Sequence, residues 1–256
     1  IFFSGCTLRC CFCQNHTISA ENYGRELTSR EMADIFLHLQ DEGAHNINLV
    51  TPTQFLPFIL RALDQVRPRL FIPIVYNCGG YELVSTVKAL KDYVDIWLPD
   101  LKYFDNGLAW ELSRAGDYFE TASAAIAQMI AQTGPPVFEE HVYSHPGLAD
   151  RKFTLIKKGV IIRHLVLPGH REDSMALLRW ICSHLPADSF LLSLLSQYTP
   201  VLPNPKHPEL NRRLTSYEYD KVVEEAVRLG LTHGYMQKKS SAREEYTPPF
   251  NLEGLP

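Results

Sequence analysis

The sequence predicts an α/β chain that folds as an incomplete barrel of about six parallel strands. Short, β-branched apolar runs alternate with longer amphipathic segments along the 256 residues, and this alternation is typical of strands joined by helical crossovers. Apolar residues make up 45% and charged residues 21% of the chain, a composition that supports a sizeable core. Because only about six strands are visible, we expect an incomplete barrel and not a closed one of eight strands.

Apolar runs predict the strands, and apolar residues spaced three and four positions apart predict the helices. The first helix also carries a capping box, formed by Thr28 and Glu31 at its start. The predicted strands cover residues 1–4, 46–50, 70–76, 95–99, 160–167 and 190–195. The predicted helices cover residues 28–42, 54–65, 81–91, 118–132, 172–184 and 216–229.

One domain is predicted over residues 1–236, followed by a polar C-terminal tail over residues 237–256. The rhythm of strands and helices breaks at residues 135–158, PPVFEEHVYSHPGLADRKFTLIKK, where we expect an inserted loop or hairpin. The chain begins with isoleucine instead of methionine, and we therefore expect it to be a fragment of a longer protein.

Charge and hydropathy exclude two classes of partner. The net charge of −4 and the lack of a basic stripe predict that the chain does not bind nucleic acid. No apolar run approaches the ~18 residues that a bilayer span needs, and no signal peptide is visible, which predicts a cytoplasmic protein without a membrane partner. In a reducing compartment, clustered cysteines are typical of metal or cluster ligands and of redox catalysts, not of disulfides.

Four of the six cysteines stand close together in the N-terminal stretch SGCTLRCCFCQN. Cys6, Cys10 and Cys13 have the spacing C-x3-C-x2-C. Three thiolates on one loop can hold three corners of a cubane iron–sulfur cluster, because a tight run of cysteines lets the loop wrap a rigid inorganic core. The fourth iron then stays open, and an open metal position is typical of a catalytic site.

A zinc site is the main alternative interpretation of these cysteines. Structural zinc normally takes two C-x2-C pairs separated by a loop, whereas here a histidine such as His16 would have to complete the site. Cys10 and Cys13 also match a thioredoxin-like C-x2-C pair, but the strand and helix that flank such a redox pair are missing. The remaining cysteines are interpreted as structural residues: Cys11, Cys78 and Cys182.

The cysteine stretch resembles the cluster loop of the radical S-adenosylmethionine (SAM) superfamily, including the aromatic Phe12 before the third cysteine. Three further stretches resemble strand motifs of that superfamily, namely DIWLPDLKY at 95–103, VIIRHLVLPG at 160–169 and LLSLLSQY at 191–198. Within the superfamily, the chain most resembles the pyruvate formate-lyase activating enzymes, from its first residue to about residue 235. The resemblance implies an incomplete (β/α)6 TIM-like barrel of the radical SAM type.

The resemblance also implies the cofactors, which are a single [4Fe–4S] cluster on Cys6, Cys10 and Cys13 and SAM bound at the open iron. In this superfamily the reduced cluster cleaves SAM to a 5′-deoxyadenosyl radical, which abstracts a hydrogen atom from the substrate. The implied partners are an electron donor such as flavodoxin or ferredoxin, and a glycyl radical enzyme or another protein or peptide as substrate.

Two other functions remain open from the sequence. The first is a radical SAM enzyme that acts on a small molecule or a peptide, in which case the insertion at 135–158 and the tail would cover the barrel mouth. The second is a non-catalytic module that binds zinc or an iron–sulfur cluster.

Several polar residues stand where the predicted strands end. Asp100 and Lys102 share one face of a strand, since side chains alternate with period two, and they either face the barrel mouth or form a surface salt bridge. Arg163 lies in an apolar strand and needs a partner there, either a SAM carboxylate or an internal acid. His164 points the opposite way and is interpreted as structural. The resemblance adds Phe12 against the adenine, Asn77 with the flexible Gly79 and Gly80 beside SAM, and Tyr198 at the end of the last strand.

One turn departs from the superfamily pattern. Members hold the SAM amino group with a Gly-Gly-Glu-like turn after the second strand, whereas this chain has Thr51-Pro52-Thr53 and no acid there. The hydroxyls of Thr51 and Thr53 can accept a hydrogen bond from an ammonium group. We therefore expect them to replace the turn without the help of a charge.

Overall fold

Five of the six predicted strands lie side by side in one open, mainly parallel sheet, so the predicted fold class is confirmed. A computed structural model describes residues 1–143, 151–201, 203–237, 250–252 and 254–255. Within these ranges the sheet order is β1-β2-β3-β5-β6-β7, with all neighbours parallel, and β4 pairs antiparallel with β5. The strands are β1 (Ile47–Val50), β2 (Ile74–Cys78), β3 (Ile96–Pro99), β4 (Val137–Tyr143), β5 (Arg151–Leu165), β6 (Leu191–Leu195) and β7 (Gly234–Met236).

Helices pack against the outer face of this sheet and bury its core. Every residue of β2 is buried, and Trp97 on β3 is only 1% exposed. The capping box predicted from Thr28 and Glu31 is formed at the start of α2. The helices are α1 (His16–Ala20), α2 (Ser29–Asp41), α3 (Leu56–Val66), α4 (Val84–Ala89), α5 (Asn106–Ser113), α6 (Tyr118–Thr133), α7 (Arg171–His184) and α8 (Ser216–Arg228). None of the helices in the described ranges is long and apolar enough to cross a membrane.

The inserted segment contains an antiparallel hairpin at the amino end of the sheet. Strand β4 pairs with the first half of β5, whereas the second half of β5 joins the parallel sheet. At about 3.3 Å per residue, Lys158 lies roughly 16 Å before Arg163 along β5, and the hairpin extends further in that direction. The expectation that this insertion covers the barrel mouth is therefore wrong for β4 and β5; residues 144–150 lie outside the described ranges.

The two edges of the sheet differ from the prediction. The expected first strand, residues 1–4, makes only an isolated bridge between Phe2 and Val50, with hydrogen bonds on either side of it. At the other edge the unpredicted β7 pairs with β6, and its Gly234 comes so close to Leu192 that an added Cβ would lie 1.8 Å from the carbonyl oxygen. Most of the predicted tail lies outside the described ranges, although the ring of Phe250 packs 5.4 Å from that of Phe2.

Candidate active site

The cysteine loop leaves the edge of the sheet at Phe3 and is anchored by backbone hydrogen bonds. The Gly5 N–H donates to Ile18 in α1 at 2.8 Å, and Gly5 has a positive φ of 84° that favours glycine. The Arg9 N–H donates to the Ser113 carbonyl at 3.0 Å, which ties the middle of the loop to the end of α5. Leu8 adds a buried apolar contact with the core. The loop is thus held at both sides without any bound group.

Three of the loop cysteines lie near one another. Cys6, Cys10 and Cys13 are half-buried, and each interacts electrostatically with the other two, whereas Cys11 is exposed. Burial raises the pKa of Cys10 to about 11, an effect that the nearby Lys102 ammonium partly offsets. A bound iron ion reverses this, because a coordinating thiol is deprotonated. The trio therefore suits metal ligation better than free thiolate chemistry.

A mononuclear metal site is a different arrangement. No group of histidine, cysteine, aspartate or glutamate side chains in the described ranges converges as three or more ligands of one ion do. The four irons of a cubane each take their own ligand, so its three cysteines need not converge on a single point. The arrangement of Cys6, Cys10 and Cys13 on one loop fits the cluster interpretation of their spacing.

A charged network lies beside this loop, at the carboxyl ends of β2, β3 and β5. One oxygen of Asp100 accepts from Lys102 Nζ at 2.5 Å, and the other pairs with Arg163 Nη2 at 2.7 Å. The same Arg163 nitrogen donates to Asn77 Oδ1 at 2.6 Å. The side chains of Lys102, Asp100 and Arg163 are 19%, 20% and 24% exposed, so the network is largely shielded from solvent. Of the two alternatives for Arg163, the internal acid is present; the Asp100–Lys102 pair is not a surface salt bridge.

The network holds its charges in the ionised form. Burial by itself raises the pKa of Asp100, but the adjacent Arg163 and Lys102 outweigh it and keep the pKa below its usual value. Burial likewise lowers the pKa of Lys102, but Asp100 and then Cys10 outweigh it and raise the pKa above its usual value. The site therefore carries two cations against one carboxylate, and this excess of positive charge suits an anionic group on a ligand.

A tyrosine and a glycine fix the backbone that carries this network. The Tyr118 hydroxyl lies 2.8 Å from the Gly79 carbonyl, 2.9 Å from the Asp100 carbonyl and 3.0 Å from the Lys102 N–H. Gly80 has a φ of 80°, and an added Cβ would lie 2.0 Å from the Asp100 carbonyl oxygen. The close turn expected at Gly79 and Gly80 is thus present and brings the ends of β2 and β3 together.

The turn after β1 contains the largest correction to the sequence analysis. Thr53 Oγ1 donates to Glu82 Oε1 at 2.6 Å and lies 3.1 Å from the Tyr76 hydroxyl. Glu82 is only 3% exposed, and burial raises its pKa to about 7. The turn after β2 thus places a carboxyl group beside Thr53, which the sequence analysis did not expect. The signal was visible in the stretch NCGGYE, where an acid follows two glycines.

Thr51 and Tyr198 use their hydroxyls within the protein. The Thr51 hydroxyl donates to the carbonyls of Val50 at 2.8 Å and Phe3 at 3.2 Å. Thr51 also has a φ of 53°, a strained conformation for a β-branched residue. The Tyr198 hydroxyl donates to the Leu210 carbonyl at 2.7 Å, and its ring lies 6.2 Å from that of Phe12. Tyr198 thus supports Phe12 from behind.

His164 has the internal position expected of it. It is 1% exposed, and its two ring nitrogens lie 2.7 Å from the Leu101 carbonyl and 2.8 Å from the Ser174 hydroxyl. Burial lowers its pKa to about 4, so the ring is neutral at physiological pH. The histidine links β5 to α7 behind the charged network.

Several buried polar atoms at this end of the sheet have no hydrogen-bond partner in the described part of the protein and could bind a polar ligand. Six buried side-chain polar atoms of the described residues lack a hydrogen-bond partner. Three of them lie near the carboxyl ends of parallel strands: Glu82 Oε2, Arg163 Nε and Ser196 Oγ. Buried polar groups normally have partners, so a zwitterionic ligand such as SAM, with an amino and a carboxylate group, fits these residues.

Known proteins resemble this chain in sequence. Its sequence matches the radical SAM superfamily over residues 1–181. An uncharacterised protein of Methanocaldococcus jannaschii is 31% identical over 242 residues, which are 90% of this chain and 62% of the relative's length. The pyruvate formate-lyase-activating enzyme of Staphylococcus epidermidis is 26% identical over 191 residues, 67% of this chain and 74% of that enzyme.

Solved structures share the fold. SuiB of Streptococcus suis has a TM-score of 0.57 when bound to S-adenosylmethionine and 0.58 when bound to the precursor peptide SuiA, at 13% and 12% identity. The match covers 93% of this chain and about half of SuiB, 49% and 48% in the two structures. Radical SAM proteins use a [4Fe–4S] cluster and SAM, so the predicted cofactors are confirmed for the family. The match over most of its length and the shared barrel place this chain in the radical SAM superfamily.

Proposed function

We propose that this chain is a radical SAM enzyme that abstracts a hydrogen atom from a polypeptide, as the glycyl-radical-enzyme activases do. The observation that carries the proposal is the position of three neighbouring cysteines of one loop beside a shielded charged network with unpartnered polar atoms. Bound by Cys6, Cys10 and Cys13, a [4Fe–4S] cluster would supply the one electron for reductive cleavage of SAM to methionine and a 5′-deoxyadenosyl radical, and that radical would take a hydrogen atom from the substrate.

Cys6, Cys10 and Cys13 hold the cluster in this proposal, and the charged network orients SAM. Lys102 and Arg163 face the SAM carboxylate, since together they exceed the charge of Asp100. Thr53 and Glu82 accept from the SAM amino group, since the Thr53 hydroxyl uses its proton on Glu82 Oε1 and keeps acceptor lone pairs, and Glu82 Oε2 is unpartnered. Phe12 and Asn77 also contact SAM in this proposal, whereas Thr51 and Tyr198, whose hydroxyls bond to backbone carbonyls, support the site without touching it.

Two observations favour a polypeptide substrate. The hairpin of β4 and β5 lies at the amino end of the sheet, so the carboxyl end is not covered by these strands. The similarity to an activating enzyme covers 67% of this chain. The chain spans only 62% of the length of its Methanocaldococcus relative. The substrate and the electron donor are therefore proposed for this chain and are not taken over from a relative. The donor is a flavodoxin or ferredoxin, and the protein acts in the cytoplasm.

The first experiment tests the cofactors and the ligands. After anaerobic purification we expect ~4 iron and ~4 sulfide per chain, and cleavage of SAM to 5′-deoxyadenosine upon reduction by dithionite. Cys10→Ala should abolish the cleavage, whereas Cys182→Ala, a matched change at an exposed cysteine on α7, should leave it unchanged. A colourless protein with ~1 zinc, or full cleavage by the Cys10 variant, would refute the ligand assignment.

The second experiment identifies the substrate class. Extract proteins are labelled with deuterated glycine, separated from small molecules, and incubated with the reduced enzyme and SAM. We expect deuterium to be transferred into 5′-deoxyadenosine when the labelled protein fraction is the substrate. Transfer only from a deuterated small-molecule fraction would instead support the alternative, a radical SAM enzyme that acts on a small molecule.

A further inference from the structure

The last turn of α5 meets the cysteine loop on both sides of Cys10. The carbonyl of Ser113 accepts from the Arg9 N–H at 3.0 Å, and the carbonyl of Leu112 accepts from the Cys11 N–H at 2.9 Å. These carbonyls belong to the end of a helix, where they lack partners inside the helix. The loop satisfies them, and the backbone around Cys10 is therefore fixed relative to α5.

The side chain of Ser113 continues this contact to the thiol itself. Ser113 Oγ donates to Cys10 Sγ at 3.0 Å, and the Tyr103 hydroxyl lies 2.6 Å from the same Ser113 oxygen. Both Ser113 and Tyr103 are almost fully buried, at 1% and 0% exposure. A serine has one hydroxyl proton, so when Ser113 donates to the sulfur, Tyr103 must be the donor to Ser113.

The contacts of the other two cysteines are longer. Cys13 Sγ lies 3.3 Å from Ser19 Oγ, and Cys6 Sγ is 3.5 Å from the Leu8 N–H. Within the described ranges, only the donor to Cys10 is itself shown to receive a hydrogen bond from a second buried hydroxyl. Hydrogen bonds in such a chain polarise and strengthen one another, so Cys10 receives the strongest donor of the three.

The hydroxyl of Tyr103 is not needed for packing. Its ring makes an edge-to-face contact with Tyr118 at 5.3 Å, and a phenylalanine ring would make the same contact. A buried hydroxyl is costly unless it is hydrogen-bonded, and Ser113 is the partner that the structure gives it. The hydroxyl therefore acts on the serine and, through it, on the sulfur.

We propose that Tyr103 and Ser113 are positioning residues that form a hydrogen-bond relay to Cys10 and raise the reduction potential of the cluster. The inference rests on the proposed function, because it requires that Cys10 is a cluster ligand. Hydrogen bonds to cluster sulfurs help to set the potential, since they stabilise the additional negative charge of the reduced state. The relay thus makes the one-electron reduction by the donor protein more favourable.

The test is a redox titration of the cluster-loaded protein without SAM, followed by electron paramagnetic resonance. At a fixed potential, we expect the ratio of reduced to oxidised cluster to fall about tenfold in Ser113→Ala, which equals about 59 mV for one electron. Tyr103→Phe should lower the ratio about threefold, because it removes only the outer hydroxyl. Ser113→Thr, which keeps a hydroxyl, should restore the wild-type ratio.

A control variant distinguishes the effect of breaking the relay from the general effect of removing a buried tyrosine hydroxyl. The Tyr219 hydroxyl is also buried and donates to the Leu194 carbonyl at 3.0 Å, far from the cysteine loop in the sequence. Tyr219→Phe should leave the potential unchanged. If Tyr103→Phe and Ser113→Ala bind the cluster and titrate as the wild type does, the relay is refuted while the cluster assignment stands. If the wild-type protein binds no iron, both proposals fail.

Discussion

Similar ion pairs are shielded from solvent at one end of the sheet and exposed to it at the other. At the carboxyl end, Asp100 is 20% exposed and pairs with Lys102 and Arg163, which are 19% and 24% exposed. At the amino end, Glu139 of the hairpin pairs with Lys157 at 3.0 Å, but Glu139 is 57% exposed. Charges are costly to remove from water. Their concentration at the carboxyl end of the sheet supports the proposal that SAM binds there.

The largest difference is expected for two glycines with the same backbone conformation. Gly80, after β2, and Gly43, before β1, have φ values of 80° and 84°. An added Cβ would meet the Asp100 carbonyl at Gly80, but nothing within 4 Å at Gly43. We expect Gly80→Ala to lower the free energy of unfolding by at least about 4 kcal/mol, and Gly43→Ala by about 1 kcal/mol. Urea unfolding measures both, and equal losses would contradict the close approach at Gly80.

The second comparison removes one acid from each end. Asp100→Asn leaves two shielded cations without their counter-ion, so we expect a loss of about 3 kcal/mol or more in the free energy of unfolding. Glu139→Gln breaks an exposed pair and should change the free energy of unfolding much less, because solvent screens that pair. Both values come from urea unfolding at neutral pH. High salt should leave the first loss in place, and a loss that disappears in salt would mean that Asp100 is solvated.

The third prediction concerns the pH dependence of stability at Glu82. Its pKa in the folded protein is about 7, above the ordinary value of 4.5, because it is buried. The folded state thus keeps its proton where the unfolded state has lost it, so stability falls as the pH rises from about 4.5 to about 8. Glu82→Gln removes this effect. The stability of the variant relative to the wild type should rise by up to about 3 kcal/mol across this range, and a constant difference would contradict the buried position.

The smallest of these effects is expected for ligand affinity. Lys102→Met should weaken SAM binding to the cluster-loaded protein about tenfold, or about 1.4 kcal/mol, because a cation at the barrel mouth is lost. Lys157→Met, at the hairpin, removes a lysine from the other end of the sheet and should not change the affinity. Equilibrium binding of radiolabelled SAM measures both. Unchanged affinity in the first variant would show that Lys102 does not face SAM.

Several element boundaries show why part of the fold was predictable. The strands β1, β3 and β6 agree with the sequence prediction within one residue, because each coincides with one apolar run. The prediction for β2 began at residue 70, but the strand begins at Ile74, directly after Pro73, which has no N–H to donate to the ladder. Strand β5 is longer than predicted, since its first half is defined by pairing with β4. The short β7 and α5 lack a clear periodic signal and were missed.

The sequence by itself determined the order of strands and helices, the cysteine loop and most residues at the barrel mouth. These follow from the spacing of residues along the chain, which does not depend on how the chain folds. Only the tertiary structure decided which partners these residues have: Glu82 beside Thr53, 29 positions away, and Ser113 beside Cys10, 103 positions away. Such pairs depend on how strands and helices pack, because a hydrogen bond requires two groups within about 3 Å of each other, and no periodicity of the chain encodes that proximity.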